Sequence, residues 1–179
     1  YLRRVNDWHD EIAAVWAKSI AAHLGQVDAG KVAFLVWGDP SLYDSTLRIA
    51  ERVGKRLPLT LRVIPGITAI QMLCAAHAIP LNDLAAPVVI TTGRQIRDNG
   101  WPEGADTAVV MLDAGGAFQT LDPQGIHIWW GAYVGMAEQI LIEGPLSGVA
   151  ARITEVRAKA RADHGWIMDI YLMRRHRQP

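Results

Sequence analysis

Residues 31–45 read Lys-Val-Ala-Phe-Leu-Val-Trp-Gly-Asp-Pro-Ser-Leu-Tyr-Asp-Ser. The first seven form an almost continuous apolar run, which is typical of a short strand buried on both faces, as in parallel sheets. The Gly-Asp-Pro turn ends this run, and a helical pattern follows over residues 43–56. The stretch therefore predicts a strand, a loop and a helix, the repeating unit of an α/β fold.

The same order of elements recurs directly after it. Residues 59–64 predict a second strand, which ends at Pro65-Gly66 and is followed by a helical stretch over residues 67–77. Ligands of open parallel sheets bind beyond the carboxyl ends of the strands, so both loops are expected to line one crevice. Common turns with helix caps are the alternative interpretation of either loop alone.

Two lobes are expected on either side of a linker. Residues 79–87 contain two prolines and an Asn-Asp pair, and they place the boundary near residue 84, between lobes of residues 1–84 and 85–179. The second lobe is richer in strands than the first. The remaining predicted elements are helices over residues 10–24, capped by Gly25, and 147–161, and strands over residues 87–92, 107–112, 126–130, 139–142 and 166–173.

The composition excludes several classes of protein. Half of the 179 residues are apolar or aromatic, and 18 Lys plus Arg balance 18 Asp plus Glu, so we expect a globular chain without affinity for nucleic acid. No apolar stretch approaches the roughly 18 residues of a membrane helix, so no membrane association is expected. The single cysteine, Cys74, lies in an apolar run, which fits a reducing compartment such as the cytoplasm.

Sequence motifs exclude further classes of enzyme and indicate candidate binding residues. The chain has neither Gly-x-x-x-x-Gly-Lys-Ser/Thr nor Gly-x-Gly-x-x-Gly between a strand and a helix, which argues against nucleotide triphosphatases and dehydrogenases. Its six histidines lack metal-ligand spacing, so no metal site is predicted. Asp39 is a candidate acceptor for ligand hydroxyl or ammonium groups. Arg94 and Arg97 follow a predicted strand, where they either pair with substrate carboxylates or belong to a solvated loop.

Two motifs resemble those of a known family. Val36-Trp37-Gly38-Asp39-Pro40-Ser41-Leu42-Tyr43 and Val63-Ile64-Pro65-Gly66-Ile67-Thr68-Ala69 are similar to the paired motifs of the tetrapyrrole (corrin and porphyrin) methylases, which use S-adenosylmethionine. The resemblance extends through essentially all of the chain. It does not include the family's opening Gly-rich strand-turn motif, so we expect the first lobe to be truncated at its N-terminus.

The resemblance implies two α/β lobes with the cofactor cleft between them, and a homodimer. The implied cofactor is S-adenosylmethionine, which leaves as S-adenosylhomocysteine. The family usually has Tyr-Met-Gly where this chain has Met111-Leu112-Asp113. By position, cofactor binding is assigned to Gly38, Asp39, Thr68, Met111, Leu112, Asp113, Ala132, Tyr133, Gly165 and Trp166.

The implied activity is C-methylation of precorrin-5 at ring position C1, with loss of an acetyl unit as acetate, to give precorrin-6A. Loss of acetate requires water delivered to a carbonyl, for which Tyr43, Asp44 and Arg94 are the catalytic candidates. Arg94 and Arg97 are expected to bind the carboxylates of the substrate. The alternatives are another tetrapyrrole C-methyltransferase of the family, or a non-catalytic module that binds the tetrapyrrole or the cofactor.

Overall fold

The computed structural model describes residues 2–24 and 30–175, with side chains described from residue 4 onward. Contacts divide it into two compact units, residues 1–68 and 69–179. The division falls before the predicted boundary near residue 84, because the segments after Thr68 pack within the second unit. Leu73 is fully buried there, and Arg174 Nη2 donates to the carbonyl oxygen of Pro80 at 3.1 Å.

The first unit contains two packed helices, α1 (Leu2–Leu24) and α2 (Thr46–Gly54). Both predicted helices are confirmed, although α1 begins earlier than residue 10 and α2 begins only after the loop. The predicted cap of α1, Gly25, lies outside the described residues. Small side chains at the contact let two helices approach closely. The buried residues that pack between them are Ala13, Ala17, Ile49 and Val53.

The strands predicted at residues 31–37 and 59–64 are wrong, because neither segment pairs with another described segment. Their apolar side chains are largely exposed: Leu35 is fully exposed and Ile64 is 77% exposed. A strand buried on both faces needs hydrogen-bonded neighbours on both sides, and residues 2–24 and 30–68 supply none. Within those ranges the first unit consists of helices and loops.

The second unit is built on a mixed five-stranded sheet, and all five strands predicted for it are confirmed. The helix predicted at residues 147–161 is also confirmed, whereas a short helix, α4, occupies the stretch predicted as a loop. The strands are β1 (Val88–Thr92), β2 (Thr107–Met111), β3 (Ile126–Ala132), β4 (Ile140–Pro145) and β5 (Asp169–Arg175), in the order β1-β2-β5-β3-β4. The helices are α3 (Ala69–Ala76), α4 (Gly93–Asn99) and α5 (Leu146–His164), with a 3₁₀ turn at Ala117–Thr120.

Strand direction gathers several loops at one edge of this sheet. β1 and β2 are parallel, β5 is antiparallel to β2, and β3 is antiparallel to β5. β1, β2 and β3 therefore end at the same edge, where β5 begins. We call this the C-terminal edge, and it is marked by Thr92, Met111, Ala132 and Asp169.

Aromatic side chains fill the core of the second unit. Trp130 is fully buried. Tyr171 and Phe118 meet edge to face, with their ring centroids 5.4 Å apart. Each such side chain contributes about 2 to 3 kcal/mol through removal of its surface from water. Helices packed on a mixed sheet confirm the predicted α/β class.

Candidate functional site

The two loops of the first unit contact each other, although residues 31–37 and 59–64 do not form the strands that were predicted before them. The Gly66 amide donates to Asp39 Oδ2 at 2.8 Å, while Asp39 Oδ1 accepts from the Ser41 amide at 2.9 Å and from the Ser41 hydroxyl. A Cβ on Gly66 would lie 2.1 Å from the carbonyl oxygen of Gly38. We call this contact of residues 38–41 with residues 65–68 the loop junction. The loop junction depends on the carboxylate of Asp39 and on the absence of a side chain at Gly66.

The carboxylate at the loop junction is ionised and reachable from solvent. The Ser41 hydroxyl, then the Gly66 amide and the Ser41 amide, hold the pKa of Asp39 below its ordinary value of 3.8. Carboxylate oxygens have lone pairs for further donors in addition to the internal ones. Asp39 can therefore accept a hydrogen bond from an ammonium or hydroxyl group of a ligand while it holds the loops together.

Tyr43 and Asp44 end the first loop in a constrained conformation. Tyr43 has a φ of +48°, a left-handed conformation that is rare for a side chain of its size, and it is 44% exposed. Partial burial raises the pKa of its hydroxyl, which therefore stays protonated as a hydrogen-bond donor. Asp44 Oδ1 accepts from the Thr46 amide at 2.6 Å at the start of α2. Backbone strain of this kind concentrates at functional sites.

The site residues predicted in the second unit lie along its C-terminal edge. Met111 and Ala132 end β2 and β3, and the others lie in the segments that follow β1, β2 and β3 or that precede β5. The strand directions bring all of those ends together. This edge carries Arg94, Arg97, Met111, Leu112, Asp113, Ala132, Tyr133, Gly165 and Trp166. The remaining predicted residues, Gly38, Asp39, Tyr43, Asp44 and Thr68, belong to the first unit.

The side chain of Asp113 is occupied by donors of this chain. It is 5% exposed and accepts hydrogen bonds from the amides of Gly115 and Ala117, from the Tyr171 hydroxyl at 2.7 Å and from Arg97 Nη1 at 2.7 Å. Burial favours a raised pKa for Asp113, but these hydrogen bonds outweigh burial and hold the pKa below 3.8. The Asp113 carboxylate is therefore not available to a ligand, and we expect the backbone around Leu112 to make any ligand contact at the end of β2.

Two strained residues mark the ends of β2 and β3. Leu112 has a φ of +52° and is 66% exposed, and Tyr133 has a φ of +51° but is buried. The Tyr133 hydroxyl donates to the carbonyl oxygen of Trp166 at 2.5 Å. Burial, followed by the charges of Asp169 and Asp163, raises the pKa of Tyr133, so the hydroxyl remains a donor. This bond connects the loop after β3 with the segment before β5.

Residues 3–150 match the tetrapyrrole (corrin/porphyrin) methylases. The chain belongs to this family. It is 51% identical over 173 residues to the precorrin-6A synthase (deacetylating) of Sinorhizobium sp., and the match covers 96% of this chain and 65% of the relative's length. The chain therefore spans a little under two thirds of that relative's length.

Solved structures also resemble this chain. The cobalamin synthesis related protein CobF from Corynebacterium diphtheriae matches with a TM-score of 0.86 and 41% identity, over 98% of this chain and 73% of that chain. Uroporphyrin-III C-methyltransferase from Thermus thermophilus, complexed with S-adenosylhomocysteine, has a TM-score of 0.58 and 16% identity, over 88% of this chain and 70% of that one. The second likeness establishes a shared fold.

Sequence reasoning missed the charged cluster that supports the C-terminal edge of the second unit. Arg157 of α5 donates from Nε to Asp169 Oδ2 at 2.8 Å and from Nη2 to the carbonyl oxygen of Asp113 at 2.6 Å. The Trp130 indole also donates to Asp169 Oδ2, at 3.0 Å. The available signal was a lone arginine four residues after Ile153 on the apolar face of the predicted helix. Arg157 thereby ties the end of β2 to the start of β5.

Within residues 2–24 and 30–175, no three His, Cys, Asp or Glu side chains gather as ligands for a metal ion. No helix in those ranges is both long and apolar enough to cross a membrane. Arg94 lies exposed on α4, whereas Arg97 on the same helix turns toward Asp113.

Proposed function

We propose that the protein is an S-adenosylmethionine-dependent C-methyltransferase of cobalamin biosynthesis that converts precorrin-5 to precorrin-6A. In this reaction C1 of the ring gains a methyl group, and the extruded acetyl unit leaves as acetate. The observation that carries the proposal is 51% identity to a deacetylating precorrin-6A synthase over 96% of this chain. The resemblance to CobF at 41% identity supports the same assignment.

The loop junction has the chemistry that S-adenosylmethionine requires. Asp39 is ionised and solvent-reachable, so it can accept from the ammonium or ribose hydroxyl groups of the cofactor. Gly38 has a φ of +85°, and its missing side chain lets a ligand approach the backbone. Thr68, Met111, Leu112, Asp113, Ala132, Tyr133, Gly165 and Trp166 are the other proposed cofactor contacts. When bound, the cofactor supplies an electrophilic methyl group on a sulfonium.

The residues of this chain act by positioning and by proton donation. Methyl transfer to an electron-rich carbon needs alignment and exclusion of water more than it needs a base. For loss of acetate, the Tyr43 hydroxyl is the proposed donor to the acetyl carbonyl oxygen, with Asp44 and Arg94 as further catalytic candidates. Arg94 and Arg97 are the proposed partners of substrate carboxylates.

Measurement of two reaction products distinguishes the candidate functions. The protein is incubated with precorrin-5 and S-adenosylmethionine that carries a labelled methyl group, and both the methylated corrinoid and free acetate are quantified. The proposal expects equimolar label at C1 and acetate. Label at another ring carbon would instead identify a different C-methyltransferase of the family. Binding of S-adenosylhomocysteine without turnover would identify a non-catalytic module.

Two accompanying proposals concern assembly and location. Resemblance to the family supports a homodimer, which sedimentation velocity tests through a mass of twice the protomer. The single half-buried cysteine supports a cytoplasmic enzyme. Fractionation of the producing cells tests this second point.

A further inference from the structure

His9 is a buried titratable side chain that the proposed mechanism does not use. It lies on α1 and is 3% exposed. Its Nε2 lies 2.9 Å from Oγ of Ser45, the residue directly before α2. No described group forms a hydrogen bond with its Nδ1. The Nε2 contact joins α1 to the end of the loop that begins at Gly38.

The surroundings of His9 select one tautomer. A neutral imidazole carries its proton on one ring nitrogen, and the other nitrogen is an acceptor. Buried N–H groups without a partner are rarer in proteins than buried acceptors without one. The proton therefore belongs on Nε2, which donates to Ser45 Oγ.

Ser45 anchors the strained end of the loop. Tyr43 lies two residues before Ser45 and has a φ of +48°, a conformation that persists only where the surroundings hold it. The carbonyl oxygen of Asp44 accepts from Arg48 Nη1 at 2.6 Å, so the segment is held from α2 as well. Among the described hydrogen bonds, the bond from His9 is the only one that connects α1 to Tyr43–Ser45.

We propose that His9 is a positioning residue that acts through Ser45 to hold the Tyr43–Ser45 end of the loop in its ligand-binding conformation. The inference rests on the proposed function, because that function makes this loop part of the cofactor site. His9 itself is 3% exposed, so we assign it no direct contact with cofactor or substrate.

The position of His9 makes its hydrogen bond to Ser45 sensitive to acid. Burial, then the charges of Arg52 and Arg48 on α2, lower the pKa of His9 below 6.5, and Asp10 on its own helix opposes them. An imidazolium would add a buried N–H at Nδ1 beside two guanidinium groups, so protonation favours displacement of the ring. The hydrogen bond from His9 to Ser45 is therefore present at neutral pH and is lost as the pH falls through the lowered pKa of His9.

Affinity for S-adenosylhomocysteine across pH 5 to 8, measured by calorimetry, tests the proposal. His9→Leu should weaken binding at pH 7.5 by about threefold to tenfold, because a single hydrogen bond between neutral groups is lost. His9→Gln retains an N–H donor for Ser45 and should bind normally at pH 7.5. It should also lose the decline in affinity that the unmodified protein shows at acid pH, since glutamine does not titrate there.

Matched variants separate positioning from general stability. His23→Gln removes an exposed histidine of the same helix, whose Nδ1 contacts the carbonyl oxygen of Ser19, and should keep the acid decline. Ser45→Ala should reproduce the weakening caused by His9→Leu while it leaves the helix packing intact. An acid decline that persists in His9→Gln, or normal affinity in both His9→Leu and Ser45→Ala, overturns the inference. Absence of binding by the unmodified protein at every pH overturns the proposed function instead.

Discussion

Asp39 combines two tasks at a single residue, because the carboxylate that joins the loops is also the proposed ligand acceptor. Asp39→Ala should reduce affinity for S-adenosylhomocysteine by about tenfold or more, since both the ligand contact and the loop junction are lost. Calorimetry measures the effect. Asp7→Ala, which removes another exposed carboxylate of the same unit, serves as the control and should bind normally. Equal affinity of the two variants would remove Asp39 from the site.

Arg94 and Arg97 occupy the same helix but should respond differently to substitution. Arg97 pairs with buried Asp113, so Arg97→Gln should lower the free energy of unfolding by about 1 to 3 kcal/mol. Arg94 is exposed and is a proposed partner of substrate carboxylates, so Arg94→Gln should lower the free energy of unfolding less than Arg97→Gln does, and should raise the KM for precorrin-5. Urea denaturation and steady-state kinetics measure the two effects. A stability loss in Arg94→Gln alone would reverse this division.

At the scale of elements, the loop junction depends on the close approach of two backbones. A Cβ on Gly66 would lie 2.1 Å from the Gly38 carbonyl oxygen, and a backbone atom cannot rotate away as a side chain can. Gly66→Ala should therefore separate the loops and abolish measurable binding of S-adenosylhomocysteine, as calorimetry would show. Gly148→Ala, on α5 with no atom within 4 Å of the new Cβ, is the control and should bind normally. Tight binding by Gly66→Ala would show that the loops separate without functional cost.

The segment predicted as a linker is held to β5 by Arg174. This side chain is 7% exposed, pairs with Asp83 at 3.0 Å, and donates to Thr107 Oγ1 at 3.2 Å. Arg174→Met keeps the aliphatic stem but removes these bonds, so it should destabilise the protein by about 2 kcal/mol. Hydrogen exchange should accelerate over residues 79–84. Arg175→Met, at the exposed neighbouring position over Trp101, should change neither measurement by as much.

For the molecule as a whole, stability at acid pH should depend on Asp113. Its pKa is lowered in the fold, so its ionised form stabilises the protein above the unfolded value of 3.8, and this contribution is lost as the pH falls through the lower folded value. Urea unfolding from pH 7 to 2 should show that loss. In Asp113→Asn the stability should be lower at pH 7 and should fall less on acidification. Asp98→Asn, at an exposed position, should keep the profile of the unmodified protein.

The second unit was largely predictable from its sequence, and the first was predictable only in part. Residues 107–112 and 31–37 are equally apolar, but the first run forms β2 between β1 and β5, whereas the second pairs with no described segment. An apolar pattern indicates that a segment tends to be buried. Whether the segment pairs with a neighbouring strand depends on the rest of the fold.

The candidate site shows the same division. Asp39 and Gly66 were identifiable because each lies within a short motif. The contacts of Arg157, Asp169 and His9 join elements that are distant in sequence, and only Arg157 left a local signal, its position on the apolar face of the predicted helix. The occupied carboxylate of Asp113 likewise appears only once Tyr171 and Arg97 are brought to it.

The common direction of β1, β2 and β3 leaves the opposite edge of the sheet available for chemical labelling. Glu103 is exposed there, in the turn that leads into β2. The lone thiol of the described residues, Cys74, is half-buried, and burial raises its pKa, so it reacts slowly with maleimides. A fluorophore attached through Glu103→Cys would therefore report tumbling and self-association while the proposed ligand-binding loops stay unmodified.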